Sequence, residues 1–270
     1  MSLSPTPHSA LAGKDEYLIE GIRVERYPRS GPGPSVPLIC VHGGGQASWC
    51  WDDFAPVLQQ GGFDVHALNW RGRNGSAAVD PEWFLTASIA DVVKDIAAVA
   101  AQFEQPPILI GHSMGGLACQ LYAQDFPVKA LLLLTPVVPS QVNAPIIELP
   151  IDYSMPWGPL PLEMAKALFF QGLDDAQCAH FYPMLVPESP LRCFEATRWT
   201  LPVTVERIRM PTLIISGALD ALTPASTGQR LAELFGAEHR LETALGHNVL
   251  LGQGGKDVAQ SVLPWLASHT

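Results

Sequence analysis

The chain has 270 residues, 47% of them hydrophobic and only 16% charged, enough apolar mass for one large core and a length common for a single α/β domain. Its net charge of -10 at pH 7, with no cluster of Lys and Arg, excludes the basic surface that a nucleic acid or an anionic membrane requires. No apolar run is long enough to span a bilayer.

Residues 1–16 contain Pro5, Pro7 and Gly13 but no apolar stretch behind positive charge, so no secretory leader is expected. Residues 17–27 (YLIEGIRVERY) set Ile19, Ile22 and Val24 against charged neighbours and predict a half-buried strand. After a Pro/Gly-rich turn at 28–37, short apolar runs alternate with helical patterns. Strands are expected at 38–41, 64–68, 108–110 and 130–134, and helices at 52–60, 88–103 and directly after Ser113. Such alternation predicts a mostly parallel sheet with helices on both faces, because a crossover between parallel strands lays its helix over the sheet. The pattern stops near Val137 and resumes near Met210. The interval holds ten prolines between Pro139 and Pro202 and is rich in aromatics, so residues 139–207 are expected as a mostly helical cap inserted into a core of residues 1–138 and 208–270. A buried strand at 212–216, a helix at 225–235, a short strand at 238–242 and a closing helix at 256–267 complete the expected core.

Chemistry concentrates at loops that follow strands. Gly111-His112-Ser113-Met114-Gly115-Gly116 places a serine between a buried strand and a helix, on a tight turn that needs small residues on either side. Ser113 is therefore the candidate nucleophile. A second glycine run, His42-Gly43-Gly44-Gly45, follows the strand at 38–41 and lets backbone approach a ligand closely. Gly44 and Met114 are the candidate oxyanion-hole donors through their N–H groups, one from each loop. A serine hydroxyl needs a base, and the base needs an acceptor that fixes its tautomer. Asp220, past the strand at 212–216, and His247, before the last helix, supply both in the chain order Ser, Asp, His. No Asp or Glu occurs in residues 135–139, so the preceding strand offers no rival acid.

With HGGGQASWCWDDF, GHSMGG, GALDALTP and GHNVLL on the page, the sequence from about Tyr17 onward resembles the α/β-hydrolase fold superfamily, its lysophospholipase-like and esterase-like branch with a helical cap. The resemblance implies an α/β fold with a Ser-His-Asp triad that cleaves a carboxylic ester or lactone through an acyl-enzyme. Other chemistry on the same triad stays open, a thioesterase or a lyase among it, and a non-catalytic binding module on the same fold is a further alternative. One departure is Arg71-Gly72-Arg73-Asn74-Gly75-Ser76, where many relatives carry R-G-H-G-x-S; the loop reads as a structural turn, with Arg73 or Asn74 at the pocket rim as the alternative.

Cap aromatics over Ser113 imply an apolar, partly enclosed pocket for a small ester or lactone, with Gly45, Trp157, Phe169 and Phe170 as candidate substrate contacts. His42 and His112 are expected to be hydrogen-bonded loop residues. The five cysteines, Cys40, Cys50, Cys119, Cys178 and Cys193, show no zinc spacing and are expected to be inert thiols. Neither metal nor cofactor is implied. The expected home is the cytoplasm; a homodimer is compatible with the sequence.

Overall fold

A computed structural model describes residues 13–270. Most of the stretch read for a secretory leader lies outside them. Eight strands form one sheet: β1 (Asp15–Ile19), β2 (Ile22–Tyr27), β3 (Leu38–Val41), β4 (Val65–Leu68), β5 (Ile108–His112), β6 (Ala130–Leu134), β7 (Thr212–Gly217) and β8 (Glu238–Glu242). Their spatial order is β1-β2-β4-β3-β5-β6-β7-β8. From β4 to β8 all neighbours are parallel, while β2 runs antiparallel to β4 and β1 antiparallel to β2. The mostly parallel sheet read from the sequence is present.

Residues 17–27 are not one strand. Glu20 and Gly21 both have positive φ, 48° and 80°, and turn the chain into a β1–β2 hairpin, the two-residue geometry whose twist matches its strands. The apolar positions change phase across this turn, from Tyr17 and Ile19 to Ile22 and Val24, while Glu-Gly is a weaker turn signal than Asn-Gly or Asp-Gly.

The helices are α1 (Ala55–Gln60), α2 (Pro81–Leu85), α3 (Val92–Ala100), α4 (Met114–Ala123), α5 (Leu162–Leu168), α6 (Asp175–Phe181), α7 (Pro190–Arg198), α8 (Ala225–Phe235) and α9 (Gly252–Ala267). The helix expected at 52–60 starts at Ala55 and is preceded by a 3-10 turn, Ser48–Trp51; that expected at 88–103 begins as a 3-10 turn, Ile89–Asp91, ahead of α3. The second of these opens on Ser88 and Asp91, which form a reciprocal capping box. The sequence reading lacked α2, although Asp80 caps it by accepting from the N–H groups of Glu82 and Trp83. Helix α9 starts four residues earlier than expected. Gly255 hides that start, because a Cβ there would lie 2.1 Å from the carbonyl oxygen of Leu250.

Side chains alternate across the sheet and divide the core in two. Ile39, Val41, Leu109, Leu131, Leu133 and Ile214 pack beneath α3, α4 and α8. Leu38, Cys40, Ile110, Leu132, Leu213 and Ile215 face α1 and α9. Strands β3 to β7 are buried at every position, which is why they read as continuous apolar runs rather than as alternation. Each fully buried Leu or Ile contributes about 1.5–3 kcal/mol on leaving water, so these strands anchor the loops at their ends. Helices α5 to α7 lie between β6 and β7 in sequence. Among the described residues no helix is long and apolar enough to cross a membrane.

Candidate active site

Gly44, Ser113, Asp220 and His247 follow β3, β5, β7 and β8, so all four lie at the carboxyl edge of the sheet. Ser113 joins β5 to α4 with φ 53° and ψ -122°, a conformation that a side-chain-bearing residue adopts only under restraint. The restraint is visible. Its N–H donates to the carbonyl of Leu134, and its own carbonyl accepts from the N–H groups of Gly116 and Val137. The flanking glycines are sterically required: a Cβ on Gly115 would lie 2.3 Å from the carbonyl oxygens of Val41 and His42, and one on Gly111 2.7 Å from that of Gly115.

Ser113 Oγ donates to His247 Nε2 across 2.9 Å, and His247 Nδ1 donates to Asp220 Oδ2 across 2.9 Å. Only 8% of Ser113, 6% of Asp220 and 3% of His247 is exposed, so all three groups are withdrawn from bulk water. Asp220 is fixed by further donors: Oδ1 accepts from the N–H groups of Leu222 and Thr223, and Oδ2 from the Thr223 hydroxyl at 2.6 Å. Burial alone would raise the Asp220 pKa. The imidazole of His247 and the donors of Thr223 outweigh it and hold the carboxyl below its ordinary value. The carbonyl of His247 in turn accepts from the Thr135 hydroxyl at 2.7 Å and from His112 Nε2 at 3.0 Å. Burial, reinforced by His247, lowers the His112 pKa to about 3.

The glycine loop is equally specified. Gly43 N–H donates to the Gln46 side chain and Gly45 N–H to the Glu188 carboxylate. Among the described residues the N–H groups of Gly44 and Met114 have no hydrogen-bond partner. His42 is a loop support: Nδ1–H donates to the carbonyl of Gly43, and Nε2 accepts from the N–H of Trp70.

A cavity opens on Ser113 and His247. Gly44, Met114, Trp157 and Phe169 line it as the sequence suggested. Gly45 and Phe170 do not. Gly45 is held by the segment behind the loop, and Phe170, 1% exposed, packs into the core layer that faces α1 and α9. Sequence reasoning missed Leu149, Cys193, Leu222 and Glu188 on the cavity wall, and Thr223 and Thr135 behind the triad. Thr223 had a signal, three residues past Asp220 in the quoted GALDALTP. Glu188 had none.

Arg73 is no simple turn residue. It is buried, donates to Glu188 across 2.8 Å and to the carbonyl of Gln46 across 3.0 Å, and its guanidinium lies 4.9 Å from the Trp70 ring centre. Burial would raise the Glu188 pKa, but Arg73 and Arg192 pull it down to about 2, so the group is an anion at neutral pH.

An open α/β sheet with a strained serine elbow, and an acid and a histidine in reach of it, defines a hydrolase fold with a complete triad geometry. The chain belongs to the alpha/beta hydrolase family, whose model matches residues 38–261. Methylesterase 9 of Arabidopsis thaliana is 30% identical over 113 residues, 40% of this chain and 42% of that protein. A pyrethroid hydrolase of Sphingobium wenxiniae is 30% identical over 103 residues, 37% of this chain and 36% of the relative. The matched stretches thus span less than half of these relatives. Among solved structures, a methylesterase protein from Arabidopsis superposes with a TM-score of 0.69 at 16% identity, covering 86% of this chain and 99% of that one. The esterase RhEst1 from Rhodococcus gives 0.69 at 19% identity, covering 96% and 100%. At such identities the likeness is one of fold.

Proposed function

We propose that this chain is a serine hydrolase that cleaves a carboxylic ester or lactone of a small, largely apolar molecule through an acyl-enzyme. The observation that carries the proposal is the unbroken relay from Asp220 through His247 to Ser113, facing a cavity beside two N–H groups without partners. His247 Nδ1 gives its proton to the hydrogen bond with Asp220, so Nε2 is free to take the Ser113 proton as Oγ attacks the carbonyl carbon. The N–H groups of Gly44 and Met114 receive the oxyanion. His247 then protonates the leaving alcohol, and a water molecule repeats the sequence on the acyl group. Residues 139–207 act as a cap that shapes the cavity, over a core of residues 1–138 and 208–270. Five free, buried thiols support a reducing, cytoplasmic setting.

The names of the methylesterase and the pyrethroid hydrolase support ester chemistry. A second reading, a non-hydrolytic reaction on the same triad, rests on norfluorocurarine synthase 1 of Strychnos nux-vomica, 26% identical over 111 residues. One experiment separates them: hydrolysis of p-nitrophenyl esters of increasing acyl length, of lactones and of acyl thioesters, with Ser113→Ala as blank. The ester reading expects turnover that falls by at least about 10³-fold in Ser113→Ala. Equal turnover in the two proteins removes the nucleophile from the account.

A further inference from the structure

Glu188 sits in the cavity wall although its charge is a hazard there. A Cβ built on Gly44 would lie 3.3 Å from its Oε2, which sets the carboxylate beside the N–H proposed to meet an oxyanion. A bare anion at that place would oppose the negative charge that the reaction develops. The surroundings remove the conflict. Oε1 accepts from Arg73 at 2.8 Å, from Arg192 at 3.2 Å and from the N–H of Ser189 at 2.9 Å, and both guanidinium groups stack against Trp70. Two cations around one anion offset its negative charge.

Oε2 remains for Gly45, whose N–H donates to it across 3.0 Å. The carbonyl of Gly45 accepts from the N–H of Val186 across 2.9 Å, and Glu188 exchanges both backbone hydrogen bonds with Trp157. Arg73 also donates to the carbonyl of Gln46. Both polar backbone groups of the residue after Gly44, and the carbonyl one further on, are therefore held by Glu188, its neighbour Val186 and its partner Arg73. Gly45 has φ 67°, so without these bonds the loop has glycine's full freedom to swing its amides.

We propose that Glu188, neutralised by Arg73 and Arg192, is a positioning group for the oxyanion hole: it fixes Gly45 so that the Gly44 N–H is pre-aimed, and it ties that aim to the segment between β6 and β7. The inference rests on the serine-hydrolase reading. A carboxylate is required, because one oxygen serves Gly45 while the other serves two arginines and Ser189; a glutamine has a single acceptor oxygen and fails one side in either orientation.

Glu188→Gln is therefore expected to lower kcat at least tenfold with KM changed less than twofold, and to weaken inhibition by a phenylboronic acid, which mimics the tetrahedral state, by a similar factor. Arg73→Lys keeps the charge but cannot reach Glu188 and Gln46 together, and falls between wild type and Glu188→Gln. Glu195→Gln is the control, since Glu195 ties α7 to Ser88 and Ile89 and touches nothing in the glycine loop. It lowers the melting temperature and leaves kcat within twofold. Hydrogen exchange of the peptide holding residues 43–46 gives an arm that needs no turnover: at least tenfold faster in Glu188→Gln, unchanged in Glu195→Gln. Unchanged exchange, or a loss of kcat in Glu188→Gln matched by Glu195→Gln, overturns the positioning role. A Ser113→Ala protein that stays active overturns the hydrolase reading instead.

Discussion

In the proposed mechanism Thr223 acts through Asp220. Its hydroxyl and N–H both end on Asp220, whose carboxylate orients His247. Replacing it with valine keeps the N–H and the shape but removes one hydrogen bond, about 0.5–1.5 kcal/mol. Thr223→Val is thus expected to lower kcat on a p-nitrophenyl ester roughly 2- to 12-fold, a conversion at RT ≈ 0.59 kcal/mol. Asp220→Asn, which offers His247 the wrong tautomer, should cost about 10⁴-fold in the same assay. An Asp220→Asn enzyme within tenfold of wild type would contradict the orienting role. Ser113, Asp220 and His247, which the structure brings within hydrogen-bond reach, were legible because each sits in a short motif at a strand end. Thr135, which donates to the carbonyl of His247, was not, since a single threonine after an apolar strand carries no local pattern.

At the scale of elements, the turn from β5 to α4 is held by close backbone contact with the loop after β3. A methyl on Gly115 would meet the carbonyl oxygens of Val41 and His42 at 2.3 Å, and Val41 is held in the sheet as the last residue of β3. Gly115→Ala is expected to cost more than about 4 kcal/mol and to lower the melting temperature sharply; a shift of less than two degrees by calorimetry would show that the elbow gives way. The segment between β6 and β7 adds an acid-sensitive tie. The Glu188 pKa falls from 4.5 to about 2 on folding, so its stabilisation is complete above about pH 4.5 and is lost as pH drops toward 2. Melting temperature should fall across that window in wild type and less steeply in Glu188→Gln. Equal slopes would place the acid response elsewhere. Strands β3 to β7 were legible from apolar runs, whereas the β1–β2 hairpin was missed although its Glu20-Gly21 turn shifts the apolar positions from 17 and 19 to 22 and 24. Arg73 and Glu188 are 115 positions apart, and nothing local to either residue announces their pairing.

For the whole molecule, the sheet supplies the edge that carries Ser113 and His247, and the segment between β6 and β7 supplies much of the cavity wall. Leu149, Trp157 and Phe169 make that wall apolar. Each methylene added to a straight acyl chain should then raise kcat/KM about threefold to fourfold, from about 0.8 kcal/mol per buried CH₂, until the cavity is filled. A flat profile from acetyl to hexanoyl would mean that the acyl group lies outside it. The fold was readable as a whole because periodicity reports burial. The pocket was read only in part, since Phe170 and Phe169 are adjacent aromatics that the fold sends to core and cavity respectively. The central claim is that Ser113 carries the acyl group. Its most direct test is to quench the wild-type protein with acid during turnover of p-nitrophenyl acetate and map the acetyl group by peptide mass spectrometry. The account predicts a single acetylated peptide that contains Ser113, absent in Ser113→Ala; continuing hydrolysis with the acyl group on another residue, or no acetylated peptide beside a full pre-steady-state burst, would contradict it.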